Sequence, residues 1–387
     1  MIKRFKAFIM SLALLAGLAL PVSAAEANTN QPASDQQAAP HELIIHFKKT
    51  ASAALSKDVV SKAGGRIVDK TNNFVVVKVN GNLTDAVKAF EQQNSVDYAE
   101  PNTIFHVSYV PNDPAFRTLQ YAPEKVGAEQ AWDVTQSSPR VKIAVVDTGV
   151  DYNHPDLIGK VIKGRDFVDK DNDPLDENEH GTHVAGIAAA NTNNGQGIAG
   201  LAPKASILAV RVLDASGNGT LDNIAQGIRY AADQGAQVIN LSLGGNTGSK
   251  TLQDAVNYAW NKGSVVVAAA GNAGSTLPSY PAYYSHVIAV AATDKNDKLA
   301  SFSNRGKWVD LAAPGVDIYS TVPGGNYARL SGTSMASPVV AGIAGLLASQ
   351  GENNSQIVSS LENTADKVPG TGTLFQNGVV DAAKAVK

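Results

Sequence analysis

Val141-Lys142-Ile143-Ala144-Val145-Val146-Asp147-Thr148-Gly149 reads as a strand that stops on a carboxylate. Residues 141–146 are an almost unbroken apolar run, and a strand apolar on both sides needs cover on both faces of its sheet. Similar runs occupy 206–212, 237–243 and 265–270, with helical spacing over 221–232 and 252–261 between the last three. This alternation predicts an α/β fold, a mostly parallel sheet with helices on both faces. Such sheets present their chemistry at the carboxyl ends of the strands, where Asp147 stands.

Outward toward the N-terminus the pattern changes. Residues 41–48, 65–69, 74–79 and 96–107 read as strands or extended chain, and 51–62 and 83–93 have helical spacing. The order strand-helix-strand-strand-helix-strand predicts a small ferredoxin-like α+β unit over 41–108, ahead of a large domain over 109–387. Residues 25–40 are polar and rich in Ala, Gln and Asn, and read as a disordered linker. Residues 1–24 carry Lys3, Arg4 and Lys6, then an apolar stretch, then Val22-Ser23-Ala24. That is the form of a signal peptide cut after Ala24, so the product is expected to be secreted and extracellular, with no membrane attachment after cleavage.

Composition excludes several chemistries. The chain has 387 residues, 44% of them hydrophobic, a net charge of -3 and no cysteine. Disulfides, thiolate metal sites and a cysteine nucleophile are absent. No basic stripe points to nucleic acid. Nothing suggests more than a monomer.

Three further features carry chemistry. His180-Gly181-Thr182-His183-Val184-Ala185-Gly186 opens a helix of small residues, and a histidine in its first turn can reach a strand-end carboxylate. Paired metal ligation by His180 and His183 is the alternative, but zinc lacks both its His-Glu-x-x-His pattern and cysteines. Gly271-Asn272 follows a strand, and the Asn272 amide is a fixed donor suited to an oxyanion or, alternatively, a turn former. Ser334, in Gly332-Thr333-Ser334-Met335-Ala336-Ser337-Pro338, heads an apolar helix, where free N–H groups favour negative charge. Pro338 lacks an N–H and leaves the Ser334 carbonyl without its helical partner. An aspartic-protease reading of Asp147-Thr148-Gly149 needs a second such motif, and none occurs.

These motifs, in the order Asp, His, Asn, Ser, resemble those of subtilisin-like serine proteases (subtilases), and among them the thermitase-type enzymes of bacilli. The resemblance covers 109–387, and 41–108 is similar to the inhibitory propeptide that precedes such domains. It implies a serine endopeptidase acting on polypeptides through an Asp-His-Ser triad and an acyl-enzyme. Ser334 is then the nucleophile, His180 the general base and Asp147 its orienting carboxylate, with Asn272 in the oxyanion hole. Gly217, Asn218 and Gly219 face Ser242, Leu243 and Gly244 across an extended substrate, and Ala269 and Gly271 border a pocket for large apolar side chains before the cut bond. The chain's own propeptide is an intramolecular inhibitor, removed by self-cleavage near Ser108-Tyr109.

The resemblance also implies Ca²⁺. The Asp169-x-Asp171-x-Asp173 spacing offers hard oxygen ligands from one acidic loop, with a solvated loop as the alternative, and the thermitase-type calcium loop resembles it through Asp166, Asp169 and Asp171. It is not an EF-hand, because Pro174 stands where glycine is needed. A second site takes carboxylates from Asp113 and Asp156, the Asn194 side chain, and carbonyls of Asn191, Gln196 and Ile198.

Overall fold

The computed structural model describes residues 38–104 and 109–387. The expected signal peptide, the linker as far as residue 37, and residues 105–108 before the expected junction lie outside them. The chain divides into two compact units, one ending at His106 and one running from Val107.

The first unit contains β1 (Ala38–Phe47), α1 (Ala53–Lys62), β2 (Arg66–Lys70), β3 (Val75–Lys78), α2 (Leu83–Glu91) and β4 (Val96–Thr103). Its antiparallel sheet has the order β2-β3-β1-β4, the expected ferredoxin-like arrangement. Ser52 and Asn82 cap the two helices by accepting from Leu55 N and Asp85 N. Leu43, Ile45, Val77 and Phe90 fill a small core. One expectation is corrected. β1 begins at Ala38, which pairs with Thr103, so the last residues of the expected linker are strand; a register shift separates that pair from Leu43.

The second unit opens with α3 (Ala122–Lys125) and α4 (Ala128–Val134). Then come β5 (Lys142–Asp147), β6 (Val161–Asp166), α5 (His180–Ala189), β7 (Ser206–Arg211), α6 (Leu221–Asp233), β8 (Val238–Leu241), α7 (Lys250–Asn261), β9 (Val265–Ala269), β10 (Val287–Thr293) and β11 (Leu311–Pro314). A hairpin of β12 (Ile318–Val322) and β13 (Asn326–Leu330) leads to α8 (Thr333–Ser349), α9 (Asn354–Thr364), β14 (Gly378–Val379) and α10 (Ala382–Ala385).

Eight strands form a parallel sheet in the order β14-β11-β10-β9-β8-β5-β7-β6. Ile143 and Val145 of β5 pack into one core with α5 and α8, while Ala144 and Val146 pack into the other with α6 and α7. The unbroken apolar run of β5 is therefore explained by cover on both faces. After β7 the chain crosses β5 to build β8 on its far side, so β5 is the point where strand order reverses. Clefts open at the carboxyl ends of strands at such a point. α8 is buried from Met335 through Leu347, which is why its sequence lacks a polar face. Among the described residues, no helix is long and apolar enough to cross a membrane.

Candidate active site

Asp147 ends β5 and is fully buried. Its Oδ1 accepts from Thr148 N at 2.7 Å and pairs with His180 Nδ1 at 2.7 Å. Oδ2 is buried with no partner among the described residues. An ionised carboxylate only accepts, so Nδ1 carries the hydrogen and Nε2 keeps its lone pair. A buried carboxylate with an unsatisfied oxygen favours positive charge on the ring beside it.

Two glycines allow this approach. A Cβ on Gly181 would lie 2.1 Å from the Gly149 carbonyl, and one on Gly149, at φ +106, would lie 2.7 Å from the carbonyls of Pro174 and Leu175. The start of α5 therefore sits directly against the turn after β5. Burial works to lower the His180 pKa, but Asp147, with Asp176 and Glu179, leaves it above the ordinary imidazole value. His183 behaves differently. Its Nε2 lies 3.1 Å from the Ile318 carbonyl and 3.2 Å from that of Ala328, and burial lowers its pKa to about 4. His183 is thus a neutral tie between α5 and the β12–β13 hairpin, not a ligand paired with His180.

Ser334 lies in the first turn of α8. Its carbonyl, freed by Pro338, accepts from Ser242 Oγ at 2.7 Å. The Ser242 hydroxyl in turn accepts from Asn240 Nδ2 at 2.9 Å, and Asn240 Oδ1 accepts from Ser337 Oγ at 2.7 Å. This chain of buried polar groups bolts the head of α8 to the end of β8. The Ser334 hydroxyl donates to the Ser242 carbonyl at 3.1 Å, and no hydrogen bond joins it to His180 among the described residues. Rotation about one side-chain bond redirects that hydroxyl, and nucleophile–base bonds often close only around substrate.

Asn272 follows β9 through Gly271, whose φ is +101. Its Oδ1 accepts from Thr333 N at 2.8 Å and Thr333 Oγ1 at 2.9 Å, so its NH₂ group points away from those donors. A Cβ placed on Gly332 would lie 3.4 Å from Asn272 Nδ2 and 3.6 Å from Ser334 N. Two donor nitrogens thus flank one small volume beside Ser334, and the absence of a side chain at Gly332 keeps it open.

A cleft of about 570 Å³ runs from His180 and Thr148 between residues 216–219 and 242–245. Gly217, Asn218, Gly219, Ser242, Leu243 and Gly244 line it as expected, together with Leu221, Ile224 and Tyr280. Ala269 and Gly271 do not. Ala269 is buried at the end of β9, on the Asn272 side.

The expected metal ligands separate into two groups. Asp113 accepts from Asn193 N at 2.7 Å and Asn194 N at 3.1 Å. Asp156, fully buried, accepts from Asn194 Nδ2, Ile198 N and Tyr327 Oη. Burial raises the Asp113 pKa, and the neighbouring Asp156 charge adds to the rise. No hydrogen bond to the carbonyls of Asn191, Gln196 or Ile198 occurs among the described residues. Two adjacent acids with no salt-bridge partner among the described residues and a loop with free carbonyls fit a hard cation.

The acidic loop departs from expectation. Arg211 at the end of β7 places its guanidinium 2.9 Å from Asp166 and 2.8 Å from Asp169, with Glu177 at 2.6 Å. Asp171 accepts from Asp173 N, and Asp173 turns to Tyr152 and Lys163. The four aspartates therefore do not share one cage, because an internal cation takes two and the others face different partners. Among the described residues, no group of three or more His, Asp or Glu side chains converges as a metal site. Sequence alone assigns no role to Arg211 or Thr333, and reads Asp176 only as an acid near the expected calcium loop. Thr333 directly precedes Ser334, but nothing local marks the other two.

The profile of the subtilase family matches residues 138–380, and that of the fervidolysin N-terminal prodomain matches 24–102. Thermitase of Thermoactinomyces vulgaris is 66% identical over 279 residues, which is 72% of this chain and 100% of that protein. A thermophilic serine proteinase of Bacillus sp. (strain AK1) is 56% identical over 349 residues, covering 89% of this chain and 87% of its own length. Subtilisin E of Bacillus subtilis (strain 168) is 39% identical over 386 residues, 97% of this chain and 98% of its own.

Proposed function

This chain belongs to the subtilase family and is a subtilisin-like serine proteinase with an N-terminal prodomain; from that premise we propose that Asp147, His180 and Ser334 form its catalytic triad and Asn272 its oxyanion donor. The observation that carries the assignment is the 2.7 Å bond between Asp147 and His180, at the strand-order reversal that α8 also reaches with Ser334.

In this reading, a peptide lies in the cleft as a strand between residues 216–219 and 242–245. The Ser334 hydroxyl turns from the Ser242 carbonyl to His180 Nε2. Its oxygen attacks the peptide carbonyl carbon while Nε2 takes its proton. The carbonyl oxygen becomes an oxyanion in the volume flanked by Asn272 Nδ2 and Ser334 N. Asp147 keeps the imidazolium oriented and charge-balanced. The C–N bond breaks as Nε2 returns the proton to the leaving amine, which leaves Ser334 acylated. Water, deprotonated by His180, then releases the acid and restores the hydroxyl. Ala269 and Gly271 lie outside that cleft; in this reading they border a separate pocket beside Asn272 that takes large apolar residues before the cut bond.

The chain is exported by cleavage after Ala24, acts outside the cell as a monomer, and is inhibited by residues 41–108 until Ser334 cuts near Ser108-Tyr109. A calcium ion is held by Asp113, Asp156, Asn194 and the carbonyls of Asn191, Gln196 and Ile198. Bound there, Ca²⁺ would offset the mutual repulsion of the two adjacent acids and strengthen the tie of residue 113 to the loop after α5. The acidic loop fits Ca²⁺ poorly, because Arg211 already engages Asp166 and Asp169. The test of the assignment is Ser334→Ala. The precursor should stay uncut, and turnover by residual enzyme should fall on the order of a million-fold, the size seen for subtilisin. Normal processing and hydrolysis by that variant would overturn it.

A further inference from the structure

Asp176 lies between the expected calcium loop and His180, and belongs to neither. It is buried at 5% exposure and collects donors from both sides of the Asp147–His180 contact. Oδ1 accepts from Thr148 Oγ1 at 2.8 Å, Asn178 N at 2.9 Å and Glu179 N at 3.2 Å. Oδ2 accepts from Thr182 N at 2.9 Å and Thr182 Oγ1 at 2.6 Å. The two hydroxyls extend the grip. Thr148 Oγ1 accepts from Gly181 N at 2.9 Å, and Thr182 Oγ1 accepts from Asp151 N at 2.9 Å. One carboxylate thereby joins the residue after Asp147 to those before and after His180.

The backbone it holds is unusual. Glu179, which directly precedes His180, has φ 144 and ψ -22, a conformation side-chain-bearing residues rarely adopt. Strain of this kind persists only where its surroundings over-determine it, and it concentrates at functional sites. The Glu179 N–H ends on Asp176, so the same carboxylate holds the strained turn that aims the imidazole.

We propose that Asp176 is a positioning residue for the proteolytic reaction: its carboxylate clamps the turn after β5 to the first turn of α5 and so sets how His180 meets Asp147 and Ser334. The proposal rests on His180 being the general base. Only a full carboxylate meets the clamp's demand, since all five donors point at its two oxygens; an amide would present N–H groups to one set of them. The charges facing His180 are Asp147 from β5, Asp176 and Glu179 from the turn before α5, and His183, neutral, one turn along α5.

The experiment compares Asp176→Asn, Thr148→Val and Thr148→Ser in the full chain, each read as kcat, KM and the pH profile of kcat/KM on a chromogenic peptide, well below the melting temperature. Asp176→Asn should lower kcat by about 10- to 100-fold, the cost of a misplaced base, with KM changed by less than about threefold. Its acid limb should move to lower pH, because a negative charge facing His180 is gone. Thr148→Val, similar in shape but unable to link Asp176 to Gly181, should lose kcat, and Thr148→Ser should restore it. A lower melting temperature with kcat and acid limb unchanged in both Asp176→Asn and Thr148→Val would overturn the clamp. His180→Ala separates the two readings: if it still hydrolyses peptide normally, the base assignment fails first; if it is inactive while Asp176→Asn matches the parent, only the clamp fails.

Discussion

Replacing Ser242 by alanine should loosen the nucleophile turn by an amount the hydrogen-bond network fixes. The Ser242 hydroxyl serves two groups, accepting from Asn240 Nδ2 at 2.9 Å and donating to the Ser334 carbonyl at 2.7 Å. Asn240 is wholly buried, so its orphaned N–H has no water to turn to. Each buried group left unpaired costs about 1–3 kcal/mol, and the Ser334 carbonyl, nearer the cleft, falls at the low end; the sum is about 2–5 kcal/mol. At about 2–4 °C per kcal/mol for a domain of this size, the melting temperature should fall by roughly 4–20 °C. Pro338 makes the argument specific. Pro338→Ala returns an N–H four residues after Ser334, able to donate to the same carbonyl. It should therefore be more favourable in the Ser242→Ala background than in the parent, with a coupling of about 1 kcal/mol or more. Scanning calorimetry in a Ser334→Ala background, where self-digestion cannot intrude, measures all four corners of the cycle. A melting temperature unchanged by Ser242→Ala, or Pro338→Ala acting equally in both backgrounds, would refute the reasoning.

Four further outcomes follow from the same geometry. The His180 pKa lies above its ordinary value and the base must be neutral, so kcat/KM should fall as pH drops through a midpoint above about 6.5; a midpoint well below it in a pH–rate profile contradicts the carboxylate surroundings. Chelation should lower the melting temperature of the mature protein, by the equivalent of about 2.7 kcal/mol if calcium stood at a hundred times its Kd. The raised Asp113 pKa means that protons compete with the ion, so calcium affinity measured by titration calorimetry should weaken as pH falls. Glu179→Gly should relieve the turn at φ 144 and raise the melting temperature, by up to about 1–2 kcal/mol after glycine's own entropy is counted; a drop in calorimetric stability contradicts the strain.

The parts legible in the sequence are those whose cause is local. The run 141–147 is apolar because both sheet faces are covered, and it stops on Asp147 because the strand ends there. The missing N–H of Pro338 announced a free carbonyl at Ser334, although only the fold reveals Ser242 as its partner. β6 was overlooked because it is an edge strand with lysine and arginine in its run. The acidic loop misled because its countercharge, Arg211, comes from another strand. Asp176 looked like one more acid in an acidic stretch. Its partners Thr148 and Thr182 are brought to it only when the turn after β5 meets α5.

The most direct measurement is fluorophosphonate labelling of the mature protein, located by peptide mass spectrometry and timed across pH. The account predicts a single label on Ser334, forming faster as pH rises through the His180 titration and nearly lost in His180→Ala. A label on another residue, or equal labelling of Ser334 with and without the imidazole, would contradict it.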